Sequence, residues 1–461
     1  MNTNETLPKI AEDITALIGG TPMLRVRNLD TGPCTLLLKL ECQNPGNSIK
    51  DRIAISMINR AEEEGLLKPG GTIYEGTAGN TGIALALVGI SRGYQVKVVM
   101  PDKMSAGKIS HLKALGAEVV LTRSDVGRGH PQYYQDLARA LAENDSNGFF
   151  INQFENAANP SAHLETTGPE IWSQTEGNID CFVAGIGSGG TISGCGNYLR
   201  EKNPEIELVL ADPVGSILAP LINEGKTIEA GSWLVEGVGE DFVPDIAEIS
   251  LLNEAITVDD KESFLVAREL LRAEGIMGGS STGLLVAAAL RWCRAQTEPK
   301  TCVTFVCDLG AKYMDRLFND VWMRDQGLLE KHAFGDLRDL IGCNHTEGED
   351  HVFQPDEPLA QVHRTMRLHD ISQAVVLDHQ NPIGIVDESD VLRAVVTDQA
   401  AWERPVREVM STNLETICPD ASTDDLLPIF AQDRVAIVAS SDQYFGLITR
   451  IDLLNFLRQN Q

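Results

Sequence analysis

Positive charge is scarce in this chain. Its 38 lysines and arginines face 66 aspartates and glutamates, for a formal net charge of -28. That balance argues against nucleic acid and against anionic membrane surfaces as partners. An anionic ligand must then be held by backbone N–H groups and local dipoles rather than by a general basic field. Long apolar runs are missing too. None approaches the ~18 residues of a bilayer-spanning helix, so no membrane partner is expected. The cysteines number nine, an odd count with no CxxC pair. Free thiols in a reducing cytoplasm are the simplest reading. The first residues, Met1-Asn-Thr-Asn-Glu-Thr-Leu-Pro8, show no basic-then-apolar leader pattern, which agrees with a cytoplasmic protein.

At 461 residues the chain exceeds one core, and a prior of ~150 residues per domain suggests two to four domains. The 41 glycines suit many tight strand-to-helix turns. From Thr72 onward the pattern is strand, glycine-bearing loop, helix, strand, repeated, and this predicts parallel strands with crossover helices. Residues 123–148 read as polar and helical, and 161–175 as one helix. Near residue 325 the texture changes. Residues 343–357 are rich in Glu, Asp, His, Gly and Pro, as in a linker or mobile loop. Two segments of about sixty residues then resemble each other, a weak internal repeat. Each carries a turn, a glycine with apolar neighbours and an acidic helix start, at Asp378–Asp390 and Ser441–Asp452.

The chemistry is organised around Asn47-Ser-Ile-Lys-Asp-Arg52. The turn signal Pro45-Gly46 precedes it and a helical pattern follows, so Lys50 lies at or near a helix N-terminus. The positive end of a helix disfavours a protonated ammonium, which suits an amine poised for imine formation. A solvated surface lysine is the bland alternative. Gly185-Ile-Gly-Ser-Gly-Gly-Thr191 joins a buried strand to a helix and presents several N–H groups to a phosphate. It lacks the Gly-Lys-Ser/Thr of a Walker loop and is read as no dinucleotide fingerprint, so the phosphate of a smaller cofactor fits better. Gly76-Thr-Ala-Gly-Asn-Thr-Gly82 offers hydroxyls, an amide and N–H groups to a carboxylate or a ring oxygen. Gly278-Gly-Ser-Ser-Thr-Gly283 places hydroxyls at a helix start, where capping alone would also explain them. Together these loops suggest pyridoxal phosphate, with the lysine holding the aldehyde, the glycine loop the phosphate and a hydroxyl facing the pyridine nitrogen.

The segments Asn47–Ile53, Thr77–Gly82, Gln153–Pro160, Thr166–Ile171 and Gly187–Thr191 resemble the cysteine synthase and cystathionine β-synthase family over about residues 10–325. The tail resembles the paired CBS regulatory module. The resemblance implies an α/β fold: the pyridoxal-phosphate fold type II, two α/β lobes with largely parallel sheets, plus a C-terminal duplicated α/β CBS-domain pair. It implies a catalytic domain over 1–325, with about 45–150 forming much of the smaller lobe. A linker over 326–357 and a CBS pair over 358–461 (about 335–398 and 404–461) would follow. By motif, Lys50 is the Schiff-base lysine and later the proton-transfer base. Asn80 would bond the cofactor's ring hydroxyl. Gly187, Ser188, Gly189, Gly190 and Thr191 would bind its phosphate, and Ser281 would face its pyridine nitrogen. Thr77, Ala78, Gly79, Thr81, Gln153 and Gly237 match the substrate site. The implied reaction is β-replacement: an amino acid displaces Lys50, loses its α-proton and its β-substituent, and takes up a thiol.

The segments Asp212–Leu218, Glu236–Phe242 and Lys312–Met323 are more similar to cystathionine β-synthases than to cysteine synthases. The resemblance thus favours homocysteine as acceptor and serine, or an O-acylated serine, as donor. Cystathionine would be the product, in transsulfuration, with hydrogen sulfide release from cysteine as a further outcome. The alternative is a cysteine synthase using O-acetylserine and sulfide. A ligand sensor with a vestigial catalytic domain is the reading from another class. Ala78, where the family commonly has Ser, and Phe154 and Glu240, where animal enzymes have Tyr, change the contacts near the acceptor and leave the donor open. The segment ahead of the first motifs is short for a haem-binding extension, so no haem is expected, and no metal. In the tail, Thr449 and Asp452 match ribose-binding positions, so S-adenosylmethionine or an adenine nucleotide could bind there, and packing with no ligand is an equally good reading. A homodimer or higher homo-oligomer is implied by the family.

Overall fold

Runs such as Val98–Met100 and Leu208–Ala211 are buried on both faces, as strands of parallel sheets covered by helices must be. The computed structural model describes residues 10–77, 79–102, 104, 106–330, 334–348 and 350–459, and it divides into two units, residues 1–319 and 320–461.

Among its described residues the first unit carries ten strands: β1 (Met23–Arg25), β2 (Thr35–Leu40), β3 (Thr72–Gly76), β4 (Gln95–Pro101), β5 (Glu118–Thr122), β6 (Gly148–Phe150), β7 (Cys181–Ala184), β8 (Glu207–Pro213), β9 (Glu254–Val258) and β10 (Thr301–Val306). They form a six-stranded sheet, β1-β2-β10-β7-β8-β9, and a four-stranded sheet, β5-β4-β3-β6. Every pairing is parallel except β1 with β2, where Met23 lies opposite Lys39. Parallel pairing sends the loops after β2 and β10 out of one end of the larger sheet, together with the loop after β7. Those after β3 and β6 leave one end of the smaller sheet. Such carboxyl-end loops are where open α/β sheets bind ligands.

Two readings from periodicity need correction. Residues 123–148 are helical only over Tyr134–Glu143, because the glycines and Pro131 ahead of it favour turns. The helix expected over 161–175 is composite: Ala158–Ala162 and Gly168–Gln174 flank a π-helical segment, His163–Thr167. Sequence reading also passed over β9 and the helix Leu218–Glu224.

The helix Lys50–Glu63 is fixed to the larger sheet by a buried ionic cluster. Arg52 Nε and Nη2 donate to the two carboxylate oxygens of Glu41 at 2.7 and 2.9 Å. Its Nη1 and Nη2 also reach Glu170 at 2.8 and 2.7 Å. Lys39 Nζ, fully buried in β2, meets Glu170 at 2.6 Å. Two buried cations thus meet a buried carboxylate, Glu41, and a partly exposed one, Glu170, the pairing under which buried charge is tolerated.

The second unit repeats a small α/β motif, with strands β11 (Gln373–Asp378), β12 (Asn381–Asp387), β13 (Thr416–Ile417), β14 (Ala436–Ala439) and β15 (Tyr444–Ile448). A helix follows β12 at Glu388–Thr397 and β15 at Arg450–Gln459, as the repeat predicts. Each half has its own core, and a third cluster, including Val375, Leu377, Ile437 and Tyr444, joins the halves. In the stretch expected to be a linker, Leu337, Leu340 and Ile341 are buried against Ile417, Leu426 and Ile448. Among the described residues no helix is long and apolar enough to cross a membrane.

Arg52→Ala leaves Glu41 buried without its partner, a loss of about 3–5 kcal/mol. Arg60→Ala breaks only an exposed pair with Glu64 and should leave stability nearly unchanged. Denaturant midpoints of the two variants, measured side by side, check this contrast.

Candidate active site

The carboxyl-end loops of the first unit line one cavity of about 470 Å³, which holds Lys50, Asn80, Gln153, Ser188, Ser281 and Cys307 among its walls. Lys50 is the first residue of its helix, as its position after Pro45-Gly46 predicts. The loop before it is tied to the loop after β10: Ile49 N–H donates to the Cys307 carbonyl at 2.9 Å, and Leu309 N–H to the Asn47 carbonyl at 3.2 Å. Burial holds the Lys50 ammonium below the ordinary lysine value, with Cys307 and Asp308 pulling the other way. An amine with a lowered proton affinity is the form that attacks a carbonyl.

Gly187, Ser188, Gly189 and Thr191 line the same cavity, where β7 feeds the helix Gly190–Lys202. Gly189 takes φ +90, which favours glycine. A Cβ on Gly187 would meet the Gly237 carbonyl at 2.6 Å, and one on Gly190 would collide with Asn159. The loop's N–H groups therefore stay bare of side chains beside the cavity. Its spelling from Gly185 to Gly190 does match G-x-G-x-x-G, contrary to the first reading. Asp212, however, placed where a ribose-binding acid would stand, is buried and accepts from Ala219 N–H at 2.8 Å.

Asn159 Nδ2 donates to Ser188 Oγ at 2.9 Å and to the Gln153 carbonyl at 2.7 Å. His163 Nε2 lies 3.2 Å from Thr191 Oγ1, and its Nδ1 lies 2.9 Å from Thr167 Oγ1. Burial, with Arg52 and Lys50 nearby, holds His163 well below the usual histidine value and so neutral. It can orient the Thr191 hydroxyl without adding charge.

Thr77, Gly79, Thr81 and Gln153 also meet at the cavity; Ala78 lies outside the described residues. Thr81 Oγ1 donates to Gln153 Oε1 at 2.7 Å, and Gln153 Nε2 donates to Glu75 Oε1 at 3.1 Å. Ser281 is at the helix start, but no side chain caps that helix, so capping does not account for its hydroxyls. Ser280 Oγ instead accepts from Glu236 N–H at 3.1 Å, and Thr282 Oγ1 from Cys307 N–H at 3.1 Å.

Across the cavity, Glu236 pairs with Lys108 and accepts from Arg316 Nη1 at 3.1 Å. Burial pushes Lys108 down to about 8. Glu240 is held well above the carboxylate range by burial and by Asp241 and Asp212. Phe154 packs on Phe242 with ring centroids 5.7 Å apart. Gly237, at φ +82, lines this side. Sequence reasoning missed Glu75, Lys108, Asn159, His163, Lys312 and Arg316. Asn159, Lys312 and Arg316 lay inside segments already singled out; Lys108 gave no signal at all.

In the second unit, Thr449 N–H and Oγ1 both donate to Asp452 Oδ2, at 2.7 and 2.5 Å. Main chain crosses beside them: a Cβ on Gly342 would meet Asp452 Oδ1 at 2.7 Å. Two cavities of this unit lie elsewhere: one of about 240 Å³, lined from both repeats by Asp387, Asp390, Arg393, Glu415 and Arg434, and one of about 710 Å³, lined by His363, Met366, Glu388 and Trp402.

An amine at a helix start, facing a glycine cradle across a cavity at the carboxyl ends of parallel strands, defines an α/β enzyme of the pyridoxal-phosphate fold type II. Comparison with known families matches residues 14–308 to the pyridoxal-phosphate dependent enzymes, and residues 349–397 and 406–459 to the CBS domain. A cystathionine beta-synthase of Apis mellifera is 33% identical over 469 residues, covering 99% of this chain and 93% of the relative. Cysteine synthase 1 of Neurospora crassa is 42% identical over 327 residues, covering 69% of this chain and 86% of the relative. The crystal structure of a hydrogen sulfide-producing enzyme from Fusobacterium nucleatum superposes with TM-score 0.62 at 37% identity, covering 66% of this chain and 99% of that one. The chain belongs to the cystathionine β-synthase and cysteine synthase family of pyridoxal-phosphate dependent enzymes, with two C-terminal CBS domains.

Burial pushes the Glu75 carboxyl up to about 8, against opposing hydrogen bonds from Gln153 and Asn152. A raised folded-state value means stability that is full below the unfolded value, about 4.3, and lost as pH rises through about 8. Glu75→Gln, which mimics the protonated form, should flatten the decline in melting temperature between acidic and mildly alkaline pH. Equal slopes for variant and parent would contradict a neutral Glu75.

Proposed function

We propose that the chain condenses L-serine, or an O-acylated serine, with L-homocysteine to give cystathionine by β-replacement, in the cytoplasm and in transsulfuration. Release of hydrogen sulfide from cysteine is a further outcome of the same chemistry. The observation that carries this reading is the charged wall at Lys108, Glu236 and Arg316. An amino-acid acceptor brings a carboxylate and an ammonium for such groups to bind, whereas sulfide brings neither. Full-length similarity to cystathionine beta-synthases supports it.

Pyridoxal phosphate supplies the electron sink that lets an α-proton and a β-substituent leave. The protein's residues then divide the remaining work. Lys50 holds the cofactor and moves the α-proton with its Nζ. The N–H groups of Gly187 to Thr191 hold the phosphate at a helix N-terminus. Asn80 meets the ring oxygen and Ser281 the ring nitrogen. Thr77, Ala78, Gly79, Thr81 and Gln153 hold the donor's carboxylate, and Gly237 lies on the acceptor side. Thr449 and Asp452 belong to the tail's site for S-adenosylmethionine or an adenine nucleotide, and the chain works as a homodimer or larger homo-oligomer.

A second reading, cysteine synthase, is favoured by Phe154 and by the Neurospora crassa relative. The two separate on one measurement with holoenzyme. Serine with homocysteine should give a catalytic efficiency at least about tenfold above O-acetylserine with sulfide, the worth of one charge-assisted contact; the reverse ratio would establish the alternative. Arg316→Ala, which frees Glu236 from one partner, should raise the KM for homocysteine by about tenfold while sulfide turnover stays unchanged. Equal losses with both acceptors would remove Arg316 from acceptor binding.

A further inference from the structure

Lys312 is a half-buried cation that none of the assigned roles uses. Its Nζ donates to the Gly46 carbonyl at 2.9 Å, the Asn47 carbonyl at 3.3 Å and Asn80 Oδ1 at 2.7 Å. Three acceptors take all three protons of an ammonium, and a neutral amine could not satisfy them. On the other side of the same amide, Asn80 Nδ2 donates to Asp308 Oδ2 at 2.7 Å. That carboxylate oxygen also accepts from Tyr313 OH at 2.6 Å.

The two partners remove any ambiguity in the amide. Lysine only donates and carboxylate only accepts, so Asn80 Oδ1 must face Lys312 and Nδ2 must face Asp308. One Nδ2 proton is then committed to Asp308 and one remains. Asn80 lines the cavity at the head of the helix Asn80–Ser91. Asp51 and Cys42 are the other acidic groups around Lys312, and Lys108 and His111 also feel its charge. Removing Lys312 would leave the two carboxylates, Asp308 and Asp51, without the cation beside them.

We propose that Lys312 is a positioning residue: with Asp308 it clamps Asn80 so that a single N–H is aimed at the cofactor's ring oxygen, and its charge favours the anionic form of that oxygen. The proposal rests on the assignment of Asn80 to the ring oxygen. The same three bonds tie Asn80 to Gly46 and Asn47, just ahead of Lys50. The distance between the two cofactor contacts is thereby fixed by one side chain.

Absorbance of the full-length holoenzyme reads the state of the ring oxygen directly, because the anionic form of the Lys50-bound cofactor absorbs in the visible and the neutral form in the near ultraviolet. Lys312→Met and Lys312→Gln should each lower the ratio of visible to near-ultraviolet absorbance by roughly five- to tenfold at neutral pH, with weaker cofactor binding. Lys312→Gln keeps an N–H for Asn80 without the charge, so it serves where Lys312→Met does not fold. An unchanged ratio in a folded variant overturns the proposal, as does a fall in melting temperature alone. Asn80→Ala separates the two layers. If it shifts the ratio and the Lys312 variants do not, only the clamp fails; if Asn80→Ala leaves spectrum and affinity intact, the assignment of Asn80 fails.

Discussion

Everything at the site depends on where the helix Lys50–Glu63 begins, and a salt-bridged guanidinium two residues after the lysine sets that point. Arg52 binds Glu41 at the exit of β2 and Glu170 on the helix Gly168–Gln174. It thus joins the reactive amine's helix both to the larger sheet and to the segment that carries His163. A buried ionic cluster is a costly way to gain stability, since apolar packing does as well. It is an effective way to fix a register, because charges tolerate misplacement poorly in a low dielectric. Asp51, between Lys50 and Arg52, repeats the device on a smaller scale by accepting from Gly46 N–H at 2.5 Å.

The cavity shows one organisation throughout. Groups that face it are held from behind by a partner: Glu75 for Gln153, His163 for Thr191, and, with a bonding character that leaves no choice, Lys312 and Asp308 for Asn80. Amides and hydroxyls can point two ways, and a carboxylate or ammonium behind them selects one. Pre-set donors of this kind stabilise charge without reorganising when it develops. The strong shifts at Glu75 and His163 follow from that design, since the supporting layer lies deepest and is desolvated most.

Much of this was legible in the residues. The alternation of apolar runs and glycine turns gave parallel strands, and Lys50, Gly187–Thr191, Thr77–Thr81, Gln153 and Ser281 could be singled out by the chemistry of their types and their motifs. The supporting layer was not legible. Lys108 and His163 carry no local signal, and Lys312, though inside a segment singled out by resemblance, shows no role there, because their partners are remote in sequence and are brought close only by the sheet order. The stretch before the tail misled for a related reason: Leu337, Leu340 and Ile341 are few among polar neighbours, yet they are buried. The spelling of Gly185–Gly190 shows the converse, a match to a pattern whose meaning only Asp212's occupation by a helix N–H could decide.

The π-helical segment His163–Thr167 has a bearing on how this chain can vary through time. A π segment holds one residue more than an α-helix would over the same path. The bulge absorbs that residue locally, so Gly168–Gln174 keeps the face that sets Glu170 on Arg52 and Lys39. Removing one residue would return the stretch to α winding and leave Glu170 in place, while His163, inside the bulge, would lose the position from which it meets Thr191. A change of length here would thus spare the ionic cluster and strike the group behind the glycine loop.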